Sequence, residues 1–473
     1  MPKIAAVSFL NDEWILGSVL HLIDTVAERF GMTSAKRLKL GMACEDMILG
    51  RIKNAYPRSD ETIDVDITVT SEFLEISVRD KGAPYWQGEI QYNPEKVDEN
   101  AAGLEEFLIA NACDSSGSEK LGIEGQRRFV RLNLLSPIAF ETKNSTEERA
   151  PENLQIDIVE TKPEEKDIFA AITCIYDEYR YSYGYERLYY PERFKELIVS
   201  GGLRSFLAIG ENGETAGHYC LSAAEDFPPE WATVVVRRPF RGRHIFDRMC
   251  AHGVEMAKQA GERAIMTQPT AYHTATQKVA QRYGYSATGF LFQYVHADIE
   301  SEYNKTGKRL DLAVAVKPLA NDWNGFAYLP EEHSDFIRQI YDDLGMKLDF
   351  PAPFRQSQPT VMNHTVNNLM KNGRITVTRA GNDFEKELSH ATGFLRQNKA
   401  EMVELLINMS DPAAAFAYET AKKYGYFFTG IIPCGLMGDY LIMQNLFWAR
   451  VDFESVATTD KYTEFLDYIK GKV

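Results

Sequence analysis

The chain has 473 residues, 44% of them hydrophobic and 25% charged. That is ordinary globular composition over more length than one core uses, so two to four domains are expected. A formal net charge of −16 excludes nucleic-acid backbone binding as the main business, because such binding needs clustered Lys and Arg. In chain order, apolar residues recur at helical spacing from Glu13 to Phe30 and again through AKRLKLGMACEDMILGRIKNAYP. TIDVDITVTS and FLEISVRD then alternate with period two, as a half-buried antiparallel pair does. A glycine turn DKGAPYW, an acidic loop near Glu95 to Glu99, a helix over GLEEFLIANAC and a strand RRFVRLNLL follow. The polar, proline-bearing ETKNSTEERAPEN reads as a linker.

A second unit starts at Leu154 with a strand LQIDIVET and a helix PEEKDIFAAITCIYDEY. Strands RSFLAIGEN and ETAGHYCLSAA come next, then an apolar strand ending at Val236, a helix to Ala260 and RAIMTQPT. A helix around Gln277 and the strand SATGFLFQYV close it. A third unit echoes the second: PEEHSDFIRQIYDD at Pro330 matches the helix at Pro163, and KKYGYFFTGI at Lys422 matches QRYGYSATGF at Gln281. The offset is 167 residues at the first match and 141 at the second, so the third unit is shorter, and nothing in it matches RRPFRGRHIF. Such a repeat suggests two pseudo-symmetric domains. The expected fold class is α+β, with domains at 1–140, 152–318 and 319–473.

Six cysteines without a CxxC pair or metal-ligand spacing read as reduced thiols of a cytoplasmic protein, and no metal site is expected. Asn11, Asp12 and Glu13 break the run that a signal peptide needs, and no apolar stretch is long enough to span a bilayer.

Two stretches carry chemistry. In VVVRRPFRGRHIFDRM, Val234 to Met249, an apolar strand enters an arginine-rich turn that opens a helix, which is how backbone N–H groups are presented to a diphosphate. Asp80-Lys81-Gly82 ends a strand. Its carboxylate suits an exocyclic amine, and Gly82 lets a ring approach the backbone.

The element order over about residues 10 to 135, with MACEDMILGRIKNAYP and ISVRDKGAPYW, resembles the anti-sigma-factor serine kinases of the GHKL ATPase superfamily. The resemblance implies an α/β sandwich in which Asp80 and Gly82 recognise adenine and a helix near Gly103-Leu104-Glu105-Glu106 borders the phosphates. The family's basic and magnesium-binding residues fall at Asp46 and Gly50, on the helix that ends at Asn54, Ala55 and Tyr56. Gly50 replaces the magnesium-binding Asn, which places ATP chemistry in question, since phosphoryl transfer needs a cation.

Residues 154 to 317 resemble the GNAT acyltransferase superfamily, and the third unit resembles a truncated copy. The resemblance implies acetyl-CoA or another acyl-CoA, with its pyrophosphate on Arg241, Gly242, Arg243, His244, Ile245 and Phe246 and with Val234 and Val236 of the preceding strand also in contact. His244 stands where the family has its first Gly. Glu230 matches the strand carboxylate that deprotonates an acceptor amine. The family's general-acid Tyr falls at Ala280, so that hydroxyl is missing. His273, four residues before Gln277, is expected on a shared helix face as a base or acyl ligand. Seven tyrosines from Tyr176 to Tyr190 form an aromatic wall for an apolar or cationic acceptor, or seal the interface with the third unit. The leading reading is N-acyl transfer to a small-molecule or protein amine. The alternative is a regulatory protein whose first domain docks a protein partner while the central domain senses acyl-CoA.

Overall fold

The computed structural model describes residues 3–54, 56, 60–70, 73–82, 109, 112–134, 150–151, 153–223, 226–300 and 307–473. The acidic loop near Glu95 and the helix expected around Gly103 lie outside the described residues. The chain forms two compact units. One comprises 1–136, 353–426 and 445–447; the other comprises 137–352, 427–444 and 448–473. The boundary therefore runs through the segment expected as a third domain.

The first unit opens with a strand that the sequence reading missed, β1 (Lys3–Leu10), followed by α1 (Leu16–Arg29), α2 (Ser34–Asn54), β2 (Thr62–Val69), β3 (Phe73–Asp80), β4 (Ser115–Leu121) and β5 (Gln126–Asn133). The two helices form because apolar residues recur at the helical period: Val19, Ile23 and Ala27 on α1, and Leu40, Ala43 and Met47 on α2. They pack on Ile63, Val65 and Ile67 of β2 and on Leu74, Ile76 and Val78 of β3, which alternate onto one face. All of β1-β2-β3-β5-β4 is antiparallel.

The second unit begins with β6 (Ile156–Glu160), α3 (Glu165–Tyr179), α4 (Pro191–Val199), β7 (Leu203–Gly210), β8 (Thr215–Ser222) and β9 (Glu230–Val236). It continues through α5 (Ile245–Gln259), β10 (Ala264–Thr267), α6 (Ala275–Arg282), β11 (Ser286–Val295) and β12 (Leu310–Pro318). β6 to β9 form an antiparallel meander, and β9 and β10 run parallel. β10 then pairs with β12, and β12 with β11.

The remaining elements are α7 (Ser334–Asp343), β13 (Val361–Asn367), β14 (Asn372–Arg379), α8 (Phe384–Gln397), β15 (Met402–Asn408), α9 (Ala414–Lys423), β16 (Phe427–Ile432), β17 (Tyr440–Asn445) and α10 (Asp460–Lys470). Within the first unit β13 extends the sheet beside β4, and β14 and β15 are parallel. Within the second unit β16 joins β11 at one register point, Gly289 opposite Gly430. These two glycines are the matching positions of the SATGF and FFTGI echoes. A Cβ on Gly430 would lie 2.3 Å from the Gly289 Cα and 2.4 Å from the Thr288 carbonyl oxygen, both backbone atoms that cannot swing aside.

Gly430→Ala is expected to destabilise the protein by about 3 kcal/mol, the upper range for overpacking. Gly41→Ala, inside α2 with open space at its Cβ, should stabilise by about 0.5–1 kcal/mol. Urea melts of the two variants check both signs.

Candidate active site

The site in the second unit follows from how β9 and β10 part. They meet where Glu230 stands opposite Met266. Here the Met266 N–H donates to the Pro229 carbonyl at 2.9 Å, and Thr267 Oγ1 donates to the Trp231 carbonyl at 3.0 Å. Beyond that point β9 stays with β8 as far as Val236. The chain after β10 stays with β12 instead, through Ala313 N–H to Pro269 at 2.8 Å and Ala271 N–H to Asp311 at 2.9 Å. The β9–β10 ladder ends there, so residues 232–236 and 268–273 are not paired with each other, and this unpaired gap is the candidate wedge.

One wall of the wedge is irregular. Thr233 and Val234 together stand opposite Tyr219, and Thr233 has φ +53°. This is a β-bulge. Past it Val234 and Val236 are half-exposed while Val235 is buried.

At the end of β9 the chain turns through Arg238–Phe240 into α5. Gly242 (φ +81°) and His244 (φ +56°) are both left-handed, and His244 is the helix N-cap. Among the described residues, the backbone N–H groups of Gly242 through Asp247 meet no acceptor from the chain. With the helix dipole behind them they form an anion-binding end. The His244 side chain is 84% exposed at this rim. Ile245 is buried, so only its main chain is presented, and Phe246 packs edge-on against Trp231 at 5.3 Å.

The arginines expected beside the phosphates are engaged by the protein itself. Arg241 turns inward: Nε donates to the Val236 carbonyl at 3.0 Å and Nη2 to Glu178 Oε2 at 2.5 Å. Arg243 donates to the Pro151 carbonyl at 2.6 Å and to that of Ala150. Arg237 pairs with Asp177 at 2.8 Å. These guanidiniums hold the loop to α3 and to the entering chain.

Glu230 sits half-buried at the apex of the wedge and accepts a hydrogen bond from the Tyr185 hydroxyl at 3.2 Å. The Tyr183 hydroxyl meets Thr233 Oγ1 at 3.3 Å, so two members of the tyrosine run reach β9. The run also packs on itself, with Tyr179–Tyr183 ring centroids 4.8 Å apart.

His273 lies on the opposite wall but before α6, which begins at Ala275, so the expected shared helix face with Gln277 does not exist. Gln277 is fully buried and structural: it donates to the Thr270 and Ala457 carbonyls at 3.2 and 2.8 Å and accepts from Thr459 N–H at 3.1 Å. His273 Nε2 is 3.4 Å from Thr270 Oγ1, Tyr272 meets it edge-on, and burial lowers its pKa. Ala280 is buried and supplies no hydroxyl.

Asp80, in the first unit, is buried and committed. Arg51 grips it through Nε to Oδ2 at 2.7 Å and Nη2 to Oδ1 at 2.8 Å. Oδ1 also accepts from Gly82 N–H at 2.9 Å and Gln126 Nε2 at 3.1 Å. A carboxylate paired with Arg51, whose Oδ1 already accepts from three protein donors, is poorly placed to accept an adenine amine through that oxygen. Burial raises the pKa of Asp46.

Sequence reasoning missed His218 of β8, which is fully buried with Nδ1 3.2 Å from the Thr233 carbonyl oxygen. The available signal was a histidine flanked by Gly217 and Tyr219 inside an alternating strand. It also missed Asp311, whose carboxyl burial pushes up to about 6 and whose Oδ1 accepts from Gln293 N–H at 2.6 Å.

Residues 169–285 match the model of the acetyltransferase (GNAT) family, so this part of the second unit is a GNAT acetyltransferase domain. No curated protein matches the chain. Among solved structures, an N-acetyltransferase from Staphylococcus aureus Mu50 is 18% identical, with 35% of this chain and 99% of that one covered and a TM-score of 0.29. The ribosomal-protein-S18-alanine N-acetyltransferase of Escherichia coli is 12% identical, over 35% and 95%, at 0.28. An acetyltransferase structure from Salmonella typhimurium with its cofactor acetyl-CoA is 15% identical, over 36% and 95%, at 0.29. Among the described residues no helix is long and apolar enough to cross a membrane.

Two outcomes follow. Arg241→Ala removes the guanidinium from the nearly buried Glu178 carboxylate, so it should lower stability by about 2 kcal/mol, seen in denaturant melts without ligand. Asp311 has a folded pKa raised above its unfolded value, so its favourable contribution is full below pH ~4 and is lost as pH rises through about 6. Asp311→Asn should therefore raise Tm at pH 7.5 and flatten the pH dependence of Tm between pH 4 and about 6.

Proposed function

We propose that the protein transfers an acyl group from acyl-CoA, with acetyl-CoA the first donor to test, to an amine at the wedge of the second unit. The observation that carries this is the row of unengaged N–H groups from Gly242 to Asp247 at the wedge mouth, inside the segment that matches the GNAT family. These groups would hold the donor's pyrophosphate, with the main chain at Val234 and Val236 beside its amide arm. His244 adds an exposed imidazole at the rim.

An amide C–N bond forms and a thioester C–S bond breaks. The amine's proton goes to Glu230, which Tyr185 holds in place; His273 on the opposite wall is the second candidate base. A thiolate whose ordinary pKa is near 8.5 can leave without an acid, so the missing hydroxyl at Ala280 does not forbid the reaction. Glu230 beside tyrosine rings suits an acceptor that arrives as a cation, which releases one proton to solvent before the neutral amine attacks and gives its second to Glu230. The acceptor is a small-molecule or protein amine.

The segment 319–473 reads as a truncated second copy. The order β13-β14-α8-β15-α9-β16-β17 repeats β8-β9-α5-β10-α6-β11-β12, and β14 and β15 are parallel as β9 and β10 are. Its turn into α8 is closed at its leading residues, however. The N–H groups of Ala380, Gly381 and Asn382 donate to Asp411 Oδ2 at 2.6 Å, Thr360 Oγ1 at 3.0 Å and the Gln358 carbonyl at 3.2 Å. This supports one acyl-CoA per chain.

A second reading is favoured by one observation, the Arg51–Asp80 pair. It supports a first unit that keeps the ATPase-like fold but serves as a regulatory domain docking a protein partner. Among the described residues Asp80 is already engaged by Arg51, which fits adenine poorly, and no step is assigned to ATP.

Calorimetry with acetyl-CoA should give one site per chain. His244→Gly should bind as well or up to ~3-fold better, since glycine adopts φ +56° without strain. His244→Asp should weaken binding at least ~10-fold by placing a carboxylate beside the phosphates. Millimolar MgATP should leave Tm unmoved. Absent acetyl-CoA binding by the wild-type chain would remove the acyl-transfer reading.

A further inference from the structure

Among the described residues Thr233 is the one β-branched side chain at positive φ, a conformation that sterics penalise. Something must hold it there. Its carbonyl oxygen lies 3.2 Å from His218 Nδ1, and its Oγ1 lies 3.3 Å from both the Tyr183 hydroxyl and Cys220 Sγ. His218 Nε2 is 2.9 Å from Ser205 Oγ, which is 2.7 Å from Thr161 Oγ1. Thr161, Ser205, His218 and Thr233 are all buried.

The protons in this chain are fixed by its last member. A carbonyl only accepts, so Nδ1 carries the hydrogen. Nε2 then accepts from Ser205, and Ser205 Oγ in turn accepts from Thr161. Every partner is satisfied with His218 neutral. Burial supports this by lowering the imidazole pKa to about 4, so the neutral form persists across the range where acyl transfer to an amine is assayed.

We propose that His218 is a positioning residue for the acyl-transfer wedge, clamping the Thr233 carbonyl and so fixing the bulge that sets the phase of Val234 and Val236. The proposal rests on the acyl-transfer reading. His218 touches neither the wedge mouth nor the candidate bases. Its effect runs through the backbone of β9, where a displacement of about an ångström can cost ~100-fold in rate.

A double-mutant cycle with Thr233→Gly tests this, because glycine takes a left-handed conformation without support. Two readouts are used: steady-state kinetics with acetyl-CoA and an amine acceptor, and hydrogen exchange of the segment 230–236. His218→Phe should lower kcat ~10- to 100-fold while KM for acetyl-CoA stays within ~3-fold, since the N–H groups at 242–247 are untouched. The limbs of the pH profile should not move, and exchange in 230–236 should rise. In the Thr233→Gly background the same substitution should change kcat by less than ~3-fold. Ser205→Ala, a milder change should His218→Phe not fold, should shift kcat and exchange in the same direction by a smaller factor.

Unchanged exchange in His218→Phe, or an undiminished kcat loss in the Thr233→Gly background, would overturn the clamp. So would a shifted pH limb, which would make His218 a proton carrier instead. If the wild-type chain turns over no acyl-CoA, the acyl-transfer reading fails and the exchange result alone decides whether His218 holds the bulge.

Discussion

A strand inside a sheet can pair along both edges, and what sets the second unit apart is how briefly two of its parallel strands do so. In the second unit β9 pairs with β8 along its length and β10 with β12, while β9 and β10 meet each other only at the register point of Glu230 and Met266. Everything of functional interest is arranged around that separation. Glu230 is at its apex, the bulge at Thr233 lines one side, the turn with His273 lines the other, and α5 begins at its mouth. An opening created by strand pairing does not depend on side-chain size, which is why a loop with one glycine can still frame it.

Charge is used differently from what its density suggests. Arg237, Arg241 and Arg243 lie next to a turn built for an anion, yet their donors go to Asp177, Glu178 and main-chain carbonyls. They tie α3 and the entering chain to the turn. The first unit shows the same economy at Asp80, which Arg51 neutralises from the neighbouring helix. In both places an ion pair with at least one buried partner fixes geometry, and breaking it leaves a charge without its counterion.

Much of the element order was legible because periodicity is a local property. α1, α2, β2 and β3 follow from the spacing of Val19, Ile23, Leu40, Ile63 and Val65. β1, β4 and β12 were not found. SSGSEKL of β4 has little apolar content, and its pairing with β13, some two hundred and forty positions on, is a long-range fact. The same limit governed the site. Glu230 and the turn at Gly242 could be placed by motif, whereas the inward rotation of Arg241 depends on Glu178, sixty-three positions earlier in the chain. His273 was assigned to a helix that starts two residues later. His218 carried no motif, and its meaning appears only once Thr233 is seen at positive φ.

The contact between Gly289 and Gly430 has a bearing on how such a chain can change with time. On the duplication reading, these are two descendants of one ancestral position, and they now lie against each other across β11 and β16. A side chain at Gly430 would strike main-chain atoms of Thr288 and Gly289, while one at Gly289 would press tightly on the Thr429 carbonyl and the Gly430 Cα, so a second substitution could not repair the first. The two codons are locked jointly rather than separately, and the drift that separated the copies elsewhere would have to leave both glycines in place.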